Sequence, residues 1–200
     1  MTAATANKRA INRADILDPA AYAKDRRDYK KRITEMKRDR RVEVGPFVTF
    51  YFESYDTMWH QIHEMLYIEK GGEQQIADEL EAYNPLIPQG EELIATVMIE
   101  IEDAMRRERV LATLGGIEHK MFIQIGGERV PGTPDPTREN TSSEGKASSV
   151  QFLRFPFAAA QVKAFKAPGA QVLVGIDHEN YGHIAVMPER VRTALEKDFA

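Results

Sequence analysis

The residues best suited to chemistry lie close together on one predicted helix. His60, His63 and Glu64 form a His-x-x-His-Glu string, and Glu69 follows five positions after Glu64. Because residues three and four apart share one face of a helix, these side chains can converge on one ion. Imidazole together with carboxylate suits zinc, iron or manganese. The string therefore predicts a divalent metal site made chiefly by His63 with Glu64 or Glu69, and His60 is a further candidate ligand.

A helical wheel weakens this metal site. Its core face consists of apolar side chains, namely Met58, Trp59, Ile62, Met65 and Leu66. His60 and Glu64 point away from that face, His63 lies at its edge, and Glu69 falls within the apolar stripe. The spacing also differs from the His-Glu-x-x-His string of zinc hydrolases. The alternative interpretation is two surface histidines and a solvated glutamate.

The other polar residues form no specific catalytic pattern. The Gly115-Gly116 and Gly126-Gly127 pairs lack the flanking residues of a nucleotide-binding loop, and no serine lies in a nucleophile elbow. The absence of cysteine excludes disulfides, cysteine-bound clusters and a thiol nucleophile. We therefore favour an accessory protein that binds a metal ion or small ligand between the second helix and the sheet. A metal-dependent enzyme using the His/Glu site is the alternative.

The charge of the chain is unevenly distributed. The stretch from Lys24 to Arg41 holds ten Lys or Arg against four Asp or Glu, whereas residues 42–200 hold fourteen basic and twenty-five acidic residues. Clustered cations can bind phosphates, so a nucleic-acid-associated protein is a third hypothesis. However, the acids interspersed at helical spacing oppose phosphate binding. We expect segment 24–41 to contact an acidic protein or a second copy of the chain instead of nucleic acid.

The periodicity of apolar residues indicates where these side chains are held. Helices are predicted over about 18–41, 54–70, 73–83, 103–114 and 158–166 and from Pro188, with strands over 42–53, 93–101, 121–125, 150–157, 171–176 and 184–187. The strand over 42–53 is expected to bend near Gly45-Pro46. The first helix has only a narrow apolar stripe, formed by Tyr22, Tyr29, Ile33 and Met36, so most of it, including its basic residues, is expected to face solvent. The irregular order of strands and helices predicts an α+β fold with a mainly antiparallel sheet. We expect a flexible N-terminus over 1–17 and one domain over 18–200.

Two further features concern order and location. Segment 130–149 holds three prolines, several Ser and Thr and few apolar residues, which predicts a mobile loop. No apolar run approaches the ~20 residues of a membrane span, and the first residues lack the apolar core of a signal peptide. A cytoplasmic location is expected.

Several strings of the sequence together resemble a known family. They are Arg-Ala-Asp-Ile-Leu from residue 13, Arg-Arg-Val from 40, His-Glu-Met-Leu-Tyr-Ile-Glu from 63, Glu-Ala-Tyr-Asn-Pro-Leu-Ile-Pro from 81 and Leu-Gly-Gly-Ile-Glu from 114. In this order they are similar to the uncharacterised bacterial family called domain of unknown function 3501. The resemblance supplies no catalytic residues. It implies a link to redox or peroxide metabolism, with iron-sulfur or rubrerythrin-like partner proteins.

Overall fold

A computed structural model describes residues 8–200, which contain six α-helices and nine strands. The helices are α1 (Pro19–Arg38), α2 (Tyr55–Glu69), α3 (Gly72–Tyr83), α4 (Ala104–Leu111), α5 (Ala159–Lys166) and α6 (Glu189–Leu195). The strands are β1 (Arg41–Val44), β2 (Val48–Phe52), β3 (Glu92–Ile99), β4 (Met121–Ile125), β5 (Glu128–Pro131), β6 (Thr133–Pro134), β7 (Val150–Pro156), β8 (Val172–His178) and β9 (Tyr181–Val186).

The two helices that matter most for the site begin at side-chain caps. The Asp18 carboxylate accepts a hydrogen bond from Ala20 N at 2.9 Å, and Pro19 occupies the first position of α1. Ser54 Oγ accepts from Thr57 N at 3.3 Å at the start of α2. Both caps satisfy amides that have no partner within the helix, so both helices begin where the sequence predicts.

The strands form two antiparallel sheets. The five-stranded sheet has the order β1-β2-β3-β7-β6, and the four-stranded sheet has the order β5-β4-β8-β9. Every neighbouring pair of strands is antiparallel, which confirms the predicted α+β class.

The predicted bent strand over 42–53 is a hairpin of β1 and β2. Gly45 lies in its turn with φ 73°, a conformation that disfavours other residues. A Cβ atom there would come within 2.5 Å of the Tyr181 hydroxyl oxygen, so the turn also requires glycine for space. The glycine and proline of this stretch therefore reverse the chain instead of only bending it.

Alternating residues of the five-stranded sheet enter two different cores. Leu93 and Ala95 of β3 point into a core shared by the two sheets, which also contains Phe50. Ile94 points to the opposite face and packs in a second core with α1 and α2. Because successive strand residues face opposite sides, β3 is covered on both faces. The first sheet therefore lies between the second sheet and a layer of helices.

Segment 130–149 contains strand residues at its start and backbone hydrogen bonds further on. It includes the end of β5 and all of β6, and Thr141 forms an isolated bridge with Ala147. Ala147 N donates to Leu111 O at 3.0 Å, and Ser148 N donates to Asn140 O at 2.7 Å. The expectation of a segment without strands is therefore wrong for 130–134, and its mobility stays a prediction.

The N-terminal stretch predicted to be flexible is only partly described. Residues 1–7 lie outside the described residues. From residue 8 onward the chain contacts the domain: Ile11 is buried and its amide donates to Asn84 Oδ1 at 2.8 Å. Trp59 Nε1 donates to Asp15 O at 2.9 Å. Residues 8–17 thus cover one end of α2. Among residues 8–200, no helix combines the length and apolar character that crossing a membrane demands.

Candidate functional site

The two histidines of α2 are buried beneath α1. His60 is 8% exposed and His63 is 2% exposed. Their predicted surface position is wrong, because α1 lies across the face of α2 that the helical wheel assigned to solvent. Tyr22 of α1 faces both imidazoles, with ring centroids 6.5 Å from His60 and 4.9 Å from His63. The narrow apolar stripe of α1 therefore covers the two histidines of α2 together with apolar residues such as Trp59.

Glu64 is the centre of a hydrogen-bonded network between α1 and α2. Arg26 donates from Nε to Oε1 and from Nη2 to Oε2, both at 2.8 Å, and the Tyr22 hydroxyl donates to Oε1 at 2.7 Å. Lys30 Nζ lies 3.6 Å from Oε2. Partial burial acts to raise the pKa of Glu64, but hydrogen bonds from Arg26 and Tyr22 outweigh it and lower that pKa to about 2. The carboxylate is therefore ionised and held by a two-pronged ion pair.

The proton positions around His60 follow from this ion pair. Because the Tyr22 hydroxyl donates its one hydrogen to Glu64, its oxygen accepts from His60 Nδ1, 3.0 Å away. We therefore assign the proton of His60 to Nδ1. Burial lowers the pKa of His60 to about 4, despite the opposing charge of Glu64. His60 is thus a neutral part of the network at physiological pH.

His63 has hydrogen-bond partners at both ring nitrogens. Its Nδ1 lies 2.7 Å from Trp59 O, a carbonyl that can only accept, so Nδ1 carries the proton. Its Nε2 accepts from Leu17 N at 3.0 Å. Burial lowers the pKa of His63, which keeps the ring neutral. The hydrogen bond from Leu17 joins the N-terminal segment to α2. A metal could bind Nε2 only by displacing the Leu17 amide.

Glu69 lies apart from these groups. It is exposed at the end of α2, where it accepts a hydrogen bond from Gln75 Nε2 at 2.9 Å, so its position on the apolar side of the helical wheel does not bury it. Within the described part of the chain, no group of three or more His, Asp or Glu side chains is arranged to hold a metal ion. A metal site at His60, His63, Glu64 and Glu69 stays a prediction, for which metal content is the measurement.

A cleft of about 760 Å³ opens beside His63, on the far side of α2 from the sheet. The N-terminal segment with the start of α1, the end of α2 and the start of α3 form its walls. Most of its lining is apolar and comes from Ile16, Leu17, Pro19, Tyr22, Leu66, Tyr67 and Ile76. This volume is within the range of sites for small molecules, about 300–1,000 Å³. The pocket therefore lies between α2, α3 and the N-terminal segment, not between α2 and the sheet as the sequence suggested.

The charged residues of the cleft are two cations and two carboxylates. Arg13 and Glu73 form an exposed ion pair, with Arg13 Nε 2.9 Å from Glu73 Oε2. Asp18 caps α1. Lys70 follows the last residue of α2 and has no ion-pair partner among the described residues. Lys70 is thus the one lining cation of the described residues whose charge is not already matched by a carboxylate.

Sequence reasoning missed the partners of this site. Tyr22 was assigned to an apolar stripe, and Arg26 to a solvated basic helix. The signal available was their spacing, since residues four apart share a helix face and Lys30 continues the same row. Glu53 was also missed: it is 6% exposed, and its two oxygens accept from Thr57 at 2.6 Å and Thr96 at 2.7 Å. Glu53 lies between the last residue of β2 and the cap of α2, and this position in the sequence does not predict a buried carboxylate.

Comparisons with known proteins identify relatives but no activity. The sequence profile of the family described as "Protein of unknown function (DUF3501)" matches residues 10–199. A crystal structure of a novel protein of unknown function from Burkholderia pseudomallei is 37% identical, with a TM-score of 0.89. That match covers 96% of this chain and 100% of the Burkholderia chain. No curated protein matches the chain. The chain therefore belongs to the DUF3501 family.

Proposed function

We propose that the protein is a binding protein that takes a small, largely apolar molecule in the cleft beside His63. The observation that carries this proposal is the cleft itself, about 760 Å³ with a mostly apolar lining. Burying apolar ligand surface against such a lining contributes roughly 25 cal/mol for each Å² removed from water. A pocket of this kind with a few polar groups at its edge is the usual form of a small-molecule site.

The polar groups nearest the cleft support binding more than catalysis. His63 would have to release the Leu17 amide before its Nε2 could accept a proton from a substrate. Glu64 is held by Arg26 and Tyr22, which makes it a weak base. The network therefore supports the wall of the pocket instead of presenting a reactive group to it.

The experiment is titration of the protein with a neutral, environment-sensitive naphthalene dye such as Prodan. Saturable binding in roughly the micromolar range is expected for the wild type. Ile76→Trp, which fills the cleft from α3, should weaken binding at least about tenfold, and Leu66→Trp should do so from α2. Ile184→Trp is the matched control, because Ile184 is 57% exposed on β9 and does not line the cleft.

Two outcomes would contradict a ligand site in the cleft. One is the lack of saturable binding to wild-type protein that is folded by circular dichroism. The other is unchanged dye binding in Ile76→Trp and Leu66→Trp, which would place the dye outside the cleft.

The other roles drawn from the sequence remain proposals. Within segment 24–41, Arg26 and Arg40 are paired with Glu64 and Asp198, whereas cations such as Lys24, Arg27 and Lys31 are exposed and could contact an acidic protein or a second copy. A link to redox metabolism through iron-sulfur or rubrerythrin-like partners rests on the family resemblance alone. Co-purification with such partners, compared between wild type and Lys24→Glu/Arg27→Glu, tests both.

A further inference from the structure

We infer that the ligand of the cleft is a single-chain amphiphile with one negative charge, whose headgroup is held by Lys70. This inference rests on the proposed function, since it names the chemistry of the molecule that the cleft takes. Two separate observations on Lys70 carry it. One concerns its backbone and the other concerns the charges that surround the cleft.

The backbone of Lys70 has a conformation that ordinary residues avoid. Among the described residues, Lys70 is the only one other than glycine with a positive φ, at 57° with ψ 36°. Its amide donates to Leu66 O at 3.1 Å and so ends α2. Glycine is the usual residue at such a helix end, and a side chain there costs roughly 1 kcal/mol. Strained residues of this kind are concentrated at functional sites.

The hydrogen bond from the residue 70 amide to Leu66 O would form equally well with glycine, so it does not require a lysine at this position. Lys70 is followed by Gly71 and Gly72, so the chain has glycine available one position later. The lysine side chain lines the cleft and forms no ion pair within residues 8–200. A lysine at this position therefore supplies a cation to the cleft at the cost of local stability.

The remaining charges of the cleft favour an anion near Lys70. Asp18 accepts hydrogen bonds at the N-terminus of α1, where the helix dipole also stabilises its charge. Glu73 is paired with Arg13, and His63 is neutral because burial lowers its pKa. The lining has a formal charge of zero, and within residues 8–200 its two groups without an ion-pair partner are Lys70 and Asp18. Of these, Asp18 already accepts hydrogen bonds from Ala20 N and Ala21 N, whereas the ammonium of Lys70 has no hydrogen-bond partner in the described part of the chain. An incoming carboxylate, sulfate or phosphate monoester would complete this pairing.

The apolar lining defines the rest of the ligand. Leu66 and Tyr67 of α2, Ile76 of α3 and Pro19 of α1 surround the space that Lys70 borders. A flexible alkyl chain can follow such a cleft between three elements, whereas its charged end stays at the edge. A cationic or neutral amphiphile of the same length would lose the interaction with Lys70 and keep the apolar contacts.

The test uses three ligands with the same alkyl chain and different headgroups. Dodecanoate, dodecanol and dodecylamine are each titrated, below their aggregation concentrations, against protein carrying bound Prodan. Dodecanoate should displace the dye at about five- to tenfold lower concentration than dodecanol, as expected for one charge-assisted contact at a partly open site. Dodecylamine should be the weakest of the three.

A substitution of Lys70 tests whether its charge causes the preference for dodecanoate over dodecanol. Lys70→Asn removes the charge but keeps a residue that tolerates the left-handed conformation. It should bring dodecanoate to within about twofold of dodecanol and leave dodecanol unchanged. The control is Lys163→Asn on α5, an exposed lysine outside the cleft, which should keep the full preference for dodecanoate.

Different results would contradict this inference and the proposed function. Equal displacement by all three ligands, or an unchanged preference in Lys70→Asn, would overturn the anionic ligand and leave an apolar binding site in place. Absence of dye binding by wild-type protein would overturn the binding function itself, and with it the anionic ligand.

Discussion

The two faces of the five-stranded sheet are covered in different ways. On one face, apolar side chains of both sheets pack together, and Phe50 lies 6.3 Å from Phe155 between ring centroids. On the other face, the helices bury polar groups as well as apolar ones, including His60, His63 and Glu53. The cleft lies on this second side, beyond α2. The first core is formed by apolar side chains, whereas the helix layer contains the buried polar network.

This difference has a physical reason. An apolar core reaches its lowest free energy by close packing and leaves little space for a ligand. Buried polar groups need hydrogen-bond partners in fixed directions. They therefore fix the positions of helices even where the helices pack less closely. The network of Tyr22, Arg26, His60 and Glu64 sets α1 against α2 in this way. Mutations in the two regions should therefore differ in size and in their dependence on pH.

The largest effect is expected in the core between the sheets. Phe50 is fully buried, so Phe50→Ala should lower the free energy of unfolding by about 3–5 kcal/mol through lost apolar contacts and a cavity. Urea unfolding measures this. Met105→Ala is the control, because Met105 is 76% exposed and its loss should change stability by less than about 0.5 kcal/mol. A loss below about 1 kcal/mol in Phe50→Ala would show that the first core is not the main source of stability.

A smaller but pH-dependent effect is expected at Glu64. Glu64→Gln removes the ion pair with Arg26 and should cost roughly 1.5–3 kcal/mol at pH 7. Because the pKa of Glu64 falls from an ordinary 4.5 to about 2 on folding, its contribution is present above pH 4.5 and is lost as pH falls toward 2. The difference in stability between wild type and Glu64→Gln should therefore shrink over that range.

The matched control for this carboxylate is Glu35→Gln on α1. Glu35 is exposed and no ion pair joins it within the described residues, so the change should have little effect at any pH. A constant difference between wild type and Glu64→Gln from pH 7 to pH 2 would contradict the assigned ion pair.

As pH falls, His60 should cause a second loss of stability, which begins at a higher pH than the loss caused by Glu64. Its pKa falls from 6.5 to about 4 on folding, so the unfolded chain takes up a proton first as pH drops. Stability that is complete above pH 6.5 should therefore decrease by up to about 3 kcal/mol by pH 4. In His60→Gln this decrease should be smaller, with the rest coming from His63. An identical slope in both proteins would show that His60 is already solvated in the native state.

The smallest effect, and one of opposite sign, is expected at Lys70. Lys70→Gly should raise the free energy of unfolding by about 0.5–1 kcal/mol, because glycine adopts φ 57° without strain. Lys163→Gly, in the regular helix α5, should instead lower it by about 1 kcal/mol. If Lys70→Gly destabilises the protein, contacts of the lysine side chain outweigh the strain, and its role is structural.

Most elements of the fold could be predicted because their signals are local. Asp18 with Pro19 begins α1, and the alternation from Leu93 to Ile99 predicts β3. The sequence did not predict the hairpin turn at Gly45, because glycine and proline occur both where a strand bends and where the chain reverses. The bridge at Thr141 was missed because its partners lie outside the predicted strands. The turn at Gly45 packs against the distant Tyr181, whereas the bridge joins Thr141 to the nearby Ala147.

The sequence by itself determined the α+β class and the approximate positions of most helices and strands, and it singled out the second helix as a candidate site. Only the tertiary structure decided what that helix does. A helical wheel shows which residues share a face, but it cannot show that α1 covers His60 and Glu64, or that Leu17 occupies His63 Nε2. Local propensity is contained in neighbouring residues, whereas the contacts by which α1 buries His60 and Glu64 join residues 38 or more positions apart.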